Sequence, residues 1–267
     1  MSIKLIFIIK SCHILYIVSS NLKEKLLMRH ISLFLLCCFM LQSCSNKFWT
    51  NATDIQTDQK ILLVSTFPES FHIKQIHSYL FSFTDGKDVD VKSWNINNLI
   101  KENTVSSLQA NYQIELLDTS ETFVKQPEKS FFNGLQITDA KLLSMAEQKQ
   151  ATYIMMIHPK KINHIPDDDP EKSNRIISGI GLYNNEYVHG GRKIQHALIN
   201  VSLFDSKTGE LIFTSNNAGI AYHDLPWKHE EPLEHITDLY LEPLQKQNTL
   251  LIQQALQQAF TAMKFKL

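Results

Sequence analysis

Continuous apolar runs along the chain predict two strands that are buried on both faces. Residues 61–64 read Ile-Leu-Leu-Val, and residues 151–157 read Ala-Thr-Tyr-Ile-Met-Met-Ile. Runs of this kind, without alternation, are typical of strands inside a parallel sheet, where both faces are covered. Residues 112–118 predict a third strand, and the weak alternation over 89–96 predicts a fourth.

Apolar residues at helical spacing predict helices between these strands. Residues 70–83 carry such a pattern and are followed by Asp85-Gly86, which predicts a turn. A short helix is predicted over 103–112. Thr138 or Asp139 is placed to cap a helix that runs to about residue 150. The residues that give the 70–83 pattern are Phe71, Ile73, Ile76, Tyr79 and Leu80.

The clearest helix spans 244–263, because its apolar residues recur on one face while glutamines occupy the other. Its apolar face consists of Leu251, Ile252, Ala255, Leu256, Ala259, Phe260 and Met263. Before it, 192–204 and 210–215 flank a short polar turn. Gly209 in that turn can adopt the positive φ that a bulged hairpin loop requires, so these two segments are predicted to pair antiparallel.

The order of elements predicts an α/β fold. A strand that directly follows the 138–150 helix is the pattern of a parallel β-α-β unit, and the later hairpin adds antiparallel strands. We therefore expect a single sandwich domain over 61–267, with a mixed β-sheet and a C-terminal antiparallel hairpin, flanked by helices.

A separate apolar run near the start of the chain predicts export. Met28-Arg29-His30 is basic, and 31–41 is apolar except for Ser32. This run is too short to span a bilayer, which needs about 20 apolar residues, but it fits the hydrophobic part of a secretory signal. It ends in Leu41-Gln42-Ser43-Cys44, which resembles the lipobox of bacterial lipoproteins. The resemblance implies that Cys44 is lipidated and becomes the first residue of the mature chain.

Two interpretations of residues 1–27 stay open. With them, the signal region 1–43 exceeds the usual 15–30 residues. We therefore prefer Met28 as the first residue of the translated chain. Lys23-Glu24, upstream of it, can be encoded by codons that form a ribosome-binding sequence. The alternative is an extended signal region that includes the upstream apolar stretch 5–18.

Charge and cysteine content narrow the class of protein. Residues 1–43 contain five Lys and Arg and one Glu, a charge of +4, so the rest carries about −5 of the chain's net −1. A negative domain argues against nucleic acid as a partner. All four cysteines lie at or before Cys44, so no thiol or disulfide follows it. Residues 44–60, which are mostly polar, are predicted to be the lipidated cysteine and a flexible tether.

Two segments carry a resemblance to periplasmic lipoproteins over roughly 135–265. They are LLSMAEQKQATYIMMIHP (142–159) and ALINVSLFDSKTGELIFTS (197–215). Both are similar to segments of the curli secretion-channel lipoprotein, the lipoprotein activators of penicillin-binding proteins and the amino-terminal domain of the Tol-system propeller protein. The resemblance implies a small α/β sandwich and no catalytic residues. No pair of long alternating segments accompanies it, so a pore is not expected.

Candidate contact residues lie in two loops. Glycines at 179, 181, 190 and 191 frame a connection without phosphate-loop spacing, which is predicted to be a mobile link or a partner-binding loop. Within it, Tyr183, Tyr187 and Arg192 are residue types that dominate interface energetics. Trp227, in an aromatic loop, is interpreted first as a core anchor and second as a partner contact.

Neither metal pattern in the sequence is complete. His229 and His235 lack the i, i+4 spacing of a zinc-binding helix, and Pro232 lies between them. Asp167-Asp168-Asp169 lacks the spacing and glycine of a calcium loop. We therefore expect no metal and no cofactor.

These observations favour a lipid-anchored periplasmic protein without enzymatic activity that binds or assembles an envelope complex. Ser45 after the lipidated cysteine favours the outer membrane over the inner membrane. The partners would be the bilayer, through Cys44, and an unidentified envelope protein. Two alternatives are kept: a cell-envelope enzyme with a His/Asp site in loops 164–192 or 222–235, and a structural subunit of an oligomeric envelope machine.

Overall fold

The computed structural model describes residues 55, 58–78, 82–117, 128–130, 134–163, 176–186, 192–225 and 238–267. All of them belong to one compact unit, Thr50–Leu267. Cys44, the predicted signal region and most of the predicted tether lie outside the described residues.

Thirteen strands and three α-helices are present in the described residues. The helices are α1 (Ile96–Leu108), α2 (Ala140–Gln148) and α3 (Asp238–Ala262), and a 3-10 turn covers Lys92–Trp94. The strands are β1 (Lys60–Ser65), β2 (Ser70–Ser78), β3 (Ser82–Asp90), β4 (Gln113–Leu116), β5 (Glu128–Ser130), β6 (Gly134–Gln136), β7 (Tyr153–Pro159), β8 (Lys161–Ile162), β9 (Ile177–Ser178), β10 (Ile180–Glu186), β11 (Arg192–Asp205), β12 (Leu211–Thr214) and β13 (Ile220–Asp224).

Nine of the described strands form one mixed sheet around the long strand β11. The order is β3-β2-β10-β11-β7-β1-β4, and β12 and β13 also pair with β11. Strands β7 and β10 follow each other along one edge of β11, while β12 and β13 line the other. Strand β1 is parallel to both β4 and β7, which confirms the predicted parallel unit around the 138–150 helix.

The helices cover both faces of this sheet. Helices α1 and α3 pack on one face, where every second residue of β11 is buried in the main core: Ala197, Ile199, Val201 and Leu203. Helix α2 packs on the other face, against Leu62, Val64, Ile154, Met156 and Phe204. The α/β class, the mixed sheet and the flanking helices are therefore confirmed. Ile55, inside the predicted tether, is buried in the main core, so packing extends upstream of residue 61.

The predicted hairpin and two predicted helices agree with the structure. Gly209 has φ +70°, and its backbone N–H donates to the Asp205 carbonyl at 2.9 Å. The carboxylate of Asp139 accepts from the backbone N–H groups of Lys141 and Leu142, so it caps α2. Every predicted apolar position of α3 from Leu251 to Met263 is buried. Among the described helices, none has the length and apolar character needed to cross a bilayer.

The predicted helix over 70–83 is wrong. The described residues there belong to two antiparallel strands, β2 and β3, and Gly86 lies within β3 opposite Lys74, where a turn was predicted. Phe71, Ile73 and Gln75 are buried while His72 and Lys74 are partly exposed. This alternation has the strand period of two, and pairing with β10 stabilises it.

The prediction for the next segment is also wrong in part. The strand predicted over 89–96 gives way after Asp90 to a 3-10 turn, and Asn95 adopts a left-handed conformation (φ 49°) that precedes α1. Helix α1 then starts at Ile96, earlier than the predicted residue 103. Asparagine tolerates this conformation better than other residues with side chains, so the strand-like pattern is interrupted there.

Candidate functional site

Polar side chains gather on the α2 face of the sheet, beyond the apolar residues that α2 covers. Along β7 this face carries Ile154, Met156 and then His158. Along β11 it carries Phe204, then Ser202 and Asn200. Because side chains alternate along each strand, these residues share one face, on which Asn200 lies opposite His158 and Ser202 lies opposite Met156.

The first group is the Asn200 network, which consists of His158, Asn200, Ser202, Thr214 and Ser215. The Asn200 amide nitrogen donates to His158 Nε2 at 2.9 Å and to Ser202 Oγ at 3.1 Å. Its amide oxygen accepts from Thr214 Oγ1 at 3.1 Å and from Ser215 Oγ at 3.2 Å. A primary amide has two donors and two acceptor sites, so Asn200 uses all four.

The network joins strands β7, β11 and β12 at the point where β12 ends. Ser202 Oγ donates to Thr214 Oγ1 at 3.1 Å, and the backbone N–H of Val201 donates to Ser215 Oγ at 3.0 Å. Ser215 begins the segment between β12 and β13. The network therefore holds the segment between β12 and β13, which we call the break, against β7 and β11.

The imidazole of His158 acts in this network as a neutral acceptor. Burial lowers the pKa of His158, and the hydrogen bond to the Pro159 carbonyl opposes that effect. Ser202 Oγ is 3.4 Å from His158 Nε2, but Ser202 is buried and directs its proton to Thr214. The pair is therefore arranged for structural hydrogen bonding, because the serine proton points away from the base that would remove it.

Lys160 contacts the segment between β12 and β13 from the other edge of β11, where β7 and β10 lie. Its ammonium donates to the carbonyls of Asn216 and, at 2.8 Å, Ala218. Burial lowers the pKa of Lys160. This lysine therefore satisfies carbonyl groups that the break between β12 and β13 leaves without a strand partner.

The second group is the His196 row, which crosses four strands and consists of Asp88, His72, Gly181 and His196. His72 Nδ1 lies 2.8 Å from the Asp88 carboxylate on the partly exposed side of the row. His196 is fully buried, and its Nδ1–H donates to the Gly179 carbonyl at 3.2 Å. Within the described part of the chain, its Nε2 has no hydrogen-bond partner.

Gly181 is required in this row because strands β2 and β10 approach closely. A Cβ at this position would lie 2.1 Å from the His72 carbonyl oxygen and 3.2 Å from His196 Cε1. The ring of His196 therefore occupies the space next to Gly181, where another strand residue would place its side chain.

We expect Gly181→Ala to destabilise the fold by about 1–3 kcal/mol or more, because backbone atoms of β2 must move. Gly86→Ala is the matched control: it lies in the neighbouring strand β3, and its nearest contact would be 3.6 Å, an ordinary van der Waals distance. Urea unfolding of both variants checks this. Equal effects of the two substitutions would contradict the close approach.

The His196 row makes stability depend on pH. Burial lowers the pKa of His196 to about 4, the Gly179 hydrogen bond opposes this, and the charge of His72 adds to it. The unfolded chain takes up this proton near pH 6.5, whereas the folded chain does not until about pH 4. Folding is therefore favoured fully above pH 6.5 and is weakened as pH falls towards 4.

We expect this loss to be about 3 kcal/mol between pH 6.5 and pH 4. The free energy of unfolding, measured by denaturant titration across that range, checks it. His196→Asn keeps a donor for the Gly179 carbonyl and should lose the part of the slope that comes from His196, leaving the part that comes from the buried His158, whereas His223→Asn, at an exposed position in β13, should retain the full slope. An unchanged slope in His196→Asn would contradict the assignment.

The structure describes two of the four residues predicted from the sequence as partner contacts, namely Tyr183 and Arg192. Tyr183 is buried on β10 with 3% of its surface exposed, in a small cluster with Ile177, Ile194 and Leu198. Arg192 is the first residue of β11. Tyr187, Trp227 and Cys44 lie outside the described residues, so partner contact and lipidation remain predictions.

Most of the loops that the enzyme alternative requires also fall outside the described residues. These include His164, His189, the acidic run 167–169 and the 229–235 segment. His223 and Asp224 are described and are exposed at the end of β13. Within the described part of the chain, no three His, Cys, Asp or Glu side chains are grouped so that they could hold a metal ion.

The sequence analysis missed the Asn200 network. Its only trace in the sequence is that Asn200 and Ser202 are polar at alternate positions between Leu198 and Phe204. Because the other residues of the stretch 197–204 are apolar, such positions indicate polar partners on neighbouring strands.

Comparison with known proteins adds distant neighbours. No protein-family model matches the chain, and no curated protein is significantly similar. Three solved structures align over most of its length: a PelC dodecamer from Paraburkholderia phytofirmans (9% identity, 82% of this chain and 96% of that chain, TM-score 0.32), the hypothetical protein CT253 from Chlamydia trachomatis (10%, 78% and 96%, 0.32) and the lipoprotein GNA1162 from Neisseria meningitidis (12%, 73% and 97%, 0.29). At these TM-scores and identities, neither fold nor function is transferred from them.

Proposed function

We propose that this chain is a lipid-anchored protein of the bacterial cell envelope whose folded domain binds or assembles other envelope proteins. The observation that carries the proposal is the apolar run 31–41 ending in Leu41-Gln42-Ser43-Cys44 behind a basic start. In this proposal Cys44 is acylated, residues 1–43 are removed, and Ser45 directs the protein to the periplasmic face of the outer membrane.

The polar groups of the described domain support a binding role, because they make hydrogen bonds within the fold. The Asn200 network and the His196 row contain the buried histidines of the sheet, and in both groups an imidazole serves as a neutral hydrogen-bonding partner of the fold. Their polar groups therefore stabilise strand breaks. In this proposal a partner contacts the surface of the domain, which includes the exposed apolar side chains of Leu116, Ile176 and Leu250.

In-cell photo-crosslinking tests the proposal. A crosslinking amino acid placed at Leu116, Ile176 or Leu250 should give a discrete protein adduct from at least one position, and the adduct should disappear in a secreted, unanchored form. The same probe at Lys87, an exposed position in β3, is the control. No adduct at any position, together with turnover of an envelope substrate that depends on histidines in 164–192 or 222–235, would favour the enzyme alternative instead.

A second measurement addresses the location. Membranes separated by density should contain the protein with outer-membrane markers. Recovery with inner-membrane markers would contradict the role assigned to Ser45 and would leave the acylation of Cys44 standing.

A further inference from the structure

Two amide side chains are buried together between the sheet and α3, on the face opposite the Asn200 network. Gln195, on β11, is fully buried, and Asn248, on α3, is 2% exposed. The main core on this side includes Ala197 from β11 and Leu241, Leu251 and Ile252 from α3, and the polar pair Lys193 and Asn184 lies next along the sheet. Polar residues in such a position are rare unless their hydrogen-bonding groups have partners.

A hydrogen bond joins Gln195 to the helical turn that precedes Asn248. Gln195 Nε2 donates to the carbonyl of Leu244 at 2.7 Å. Asn248 follows Leu244 by one helical turn, on the same face of α3. Side chains on a helix point back towards its N-terminus, so the Asn248 amide is directed along the turn whose carbonyl Gln195 contacts.

Three atoms of this pair have no hydrogen-bond partner among the residues that the structure describes. They are Gln195 Oε1, Asn248 Oδ1 and Asn248 Nδ2, and none of them is accessible to solvent. The bond from Nε2 to Leu244 fixes the orientation of the Gln195 amide, so its oxygen cannot be exchanged for the donor nitrogen. The set therefore contains two acceptor oxygens and one donor nitrogen, on a strand residue and a helix residue that the Gln195–Leu244 hydrogen bond brings to the same helical turn.

We propose that these atoms form an internal binding site for ordered water, one or two molecules, between β11 and α3. A water molecule supplies two donors and accepts hydrogen bonds, which complements two carbonyl-type oxygens and one amide N–H group. Buried waters typically make about three hydrogen bonds to polar groups that would otherwise be unpaired. An apolar guest would leave all three atoms unpaired, and a charged guest would lack a counter-charge from either amide.

The site explains why an asparagine interrupts the apolar face of α3. Downstream, Leu251, Ile252, Ala255 and Leu256 continue this face without a polar residue. Hydrogen bonds through water between Asn248 and Gln195 would fix where along β11 the first turns of α3 lie, which apolar contacts alone specify less strictly.

The test is a crystal structure of the mature protein at a resolution that shows ordered water. We expect at least one water oxygen within hydrogen-bonding distance of Gln195 Oε1 and an Asn248 amide atom. We expect the same water in Asn248→Ser, which keeps a donor and an acceptor and leaves room. Asn248→Leu should exclude it, because the larger apolar side chain fills the space. A direct bond from Asn248 Nδ2 to Gln195 Oε1, without water, would overturn the proposal.

Nuclear magnetic resonance gives an independent readout that needs no variant. Selective ¹⁵N labelling of Asn and Gln should reveal cross-relaxation between water and the Asn248 side-chain amide protons, with the sign of a long-lived contact. The amide of Asn216, which is exposed, serves as the control and should show only short-lived contacts. A clearly resolved Asn248 signal without long-lived water contact would contradict the site.

Discussion

Cys44→Ser should convert the protein from a membrane-bound to an unanchored form. A serine hydroxyl lacks the thiol that the lipobox resemblance implies as the site of diacylglycerol attachment, so no acyl chain is added. Each acyl methylene contributes about 0.8 kcal/mol to membrane binding, and two or more chains are needed for stable anchoring. Detergent-phase partition of cell extracts checks this, with near-complete retention of wild type in the detergent phase and loss of the variant from it.

The apolar run contains a matched control for this experiment. Cys37 and Cys38 lie within it, upstream of the predicted cleavage site. Cys38→Ser should leave partition and processing unchanged, because that residue is removed with the signal region. Equal loss of anchoring in Cys38→Ser and Cys44→Ser would show that the hydrophobicity of the run matters and not the thiol at position 44.

Asn200→Leu should cause the largest loss of stability among substitutions in the described polar groups. It removes four hydrogen bonds at once and leaves His158, Ser202, Thr214 and Ser215 with unmet groups in a largely buried position. Because one unmet buried group costs about 1–3 kcal/mol, we expect a loss of about 3 kcal/mol or more in the free energy of unfolding. Thr214→Val, which removes two of the network's bonds, should cost less. Similar losses in both variants would contradict the central position of Asn200.

Asn200→Asp tests the coupling between residue 200 and His158 through the direction in which the loss of stability changes with pH. The carboxylate still accepts from Thr214 and Ser215, but it faces the lone pair of the neutral His158. Protonation of His158 converts this repulsion into an ion pair, so the pKa of His158 should rise in the variant. The loss of stability relative to wild type should therefore be smaller at pH 5.5 than at pH 8. A loss that does not change with pH would show that Asn200 and His158 are not coupled.

The elements that could be predicted from the sequence are those whose pattern does not depend on distant partners. Strands β1 and β7 are buried on both faces, which produces continuous apolar runs whatever their neighbours are. Gly209 and Asp139 act locally, through one backbone conformation and one helix cap. The downstream part of α3 buries a full apolar face over several turns, so its period is unambiguous.

The 70–83 segment could not be assigned in the same way. Its apolar residues fit both a period of 3.6 and a period of 2 over so short a distance, and only pairing with β10, more than 100 residues later, decides between them. The strand that results presents His72 to the His196 row. A wrong secondary-structure assignment at 70–83 therefore hides one member of that row.

The Asn200 network was hidden for a related reason. Its members come from β7, β11, β12 and the residue that follows β12, and no local motif unites them. Of the four candidate contact residues chosen from loops, Tyr187 and Trp227 lie outside the described residues, while Tyr183 is part of a buried cluster. The sequence showed where polar residues interrupt β11 but not which strands would be placed beside them.

Mass analysis of the native protein, purified from membranes of the cells that produce it, tests the lipid anchor most directly. The amino-terminal peptide should begin at Cys44 and carry the added mass of a diacylglycerol group, with or without a further acyl chain. An unmodified chain that retains residues upstream of position 44, recovered from the cytosol, would contradict the anchor and every proposal that depends on it.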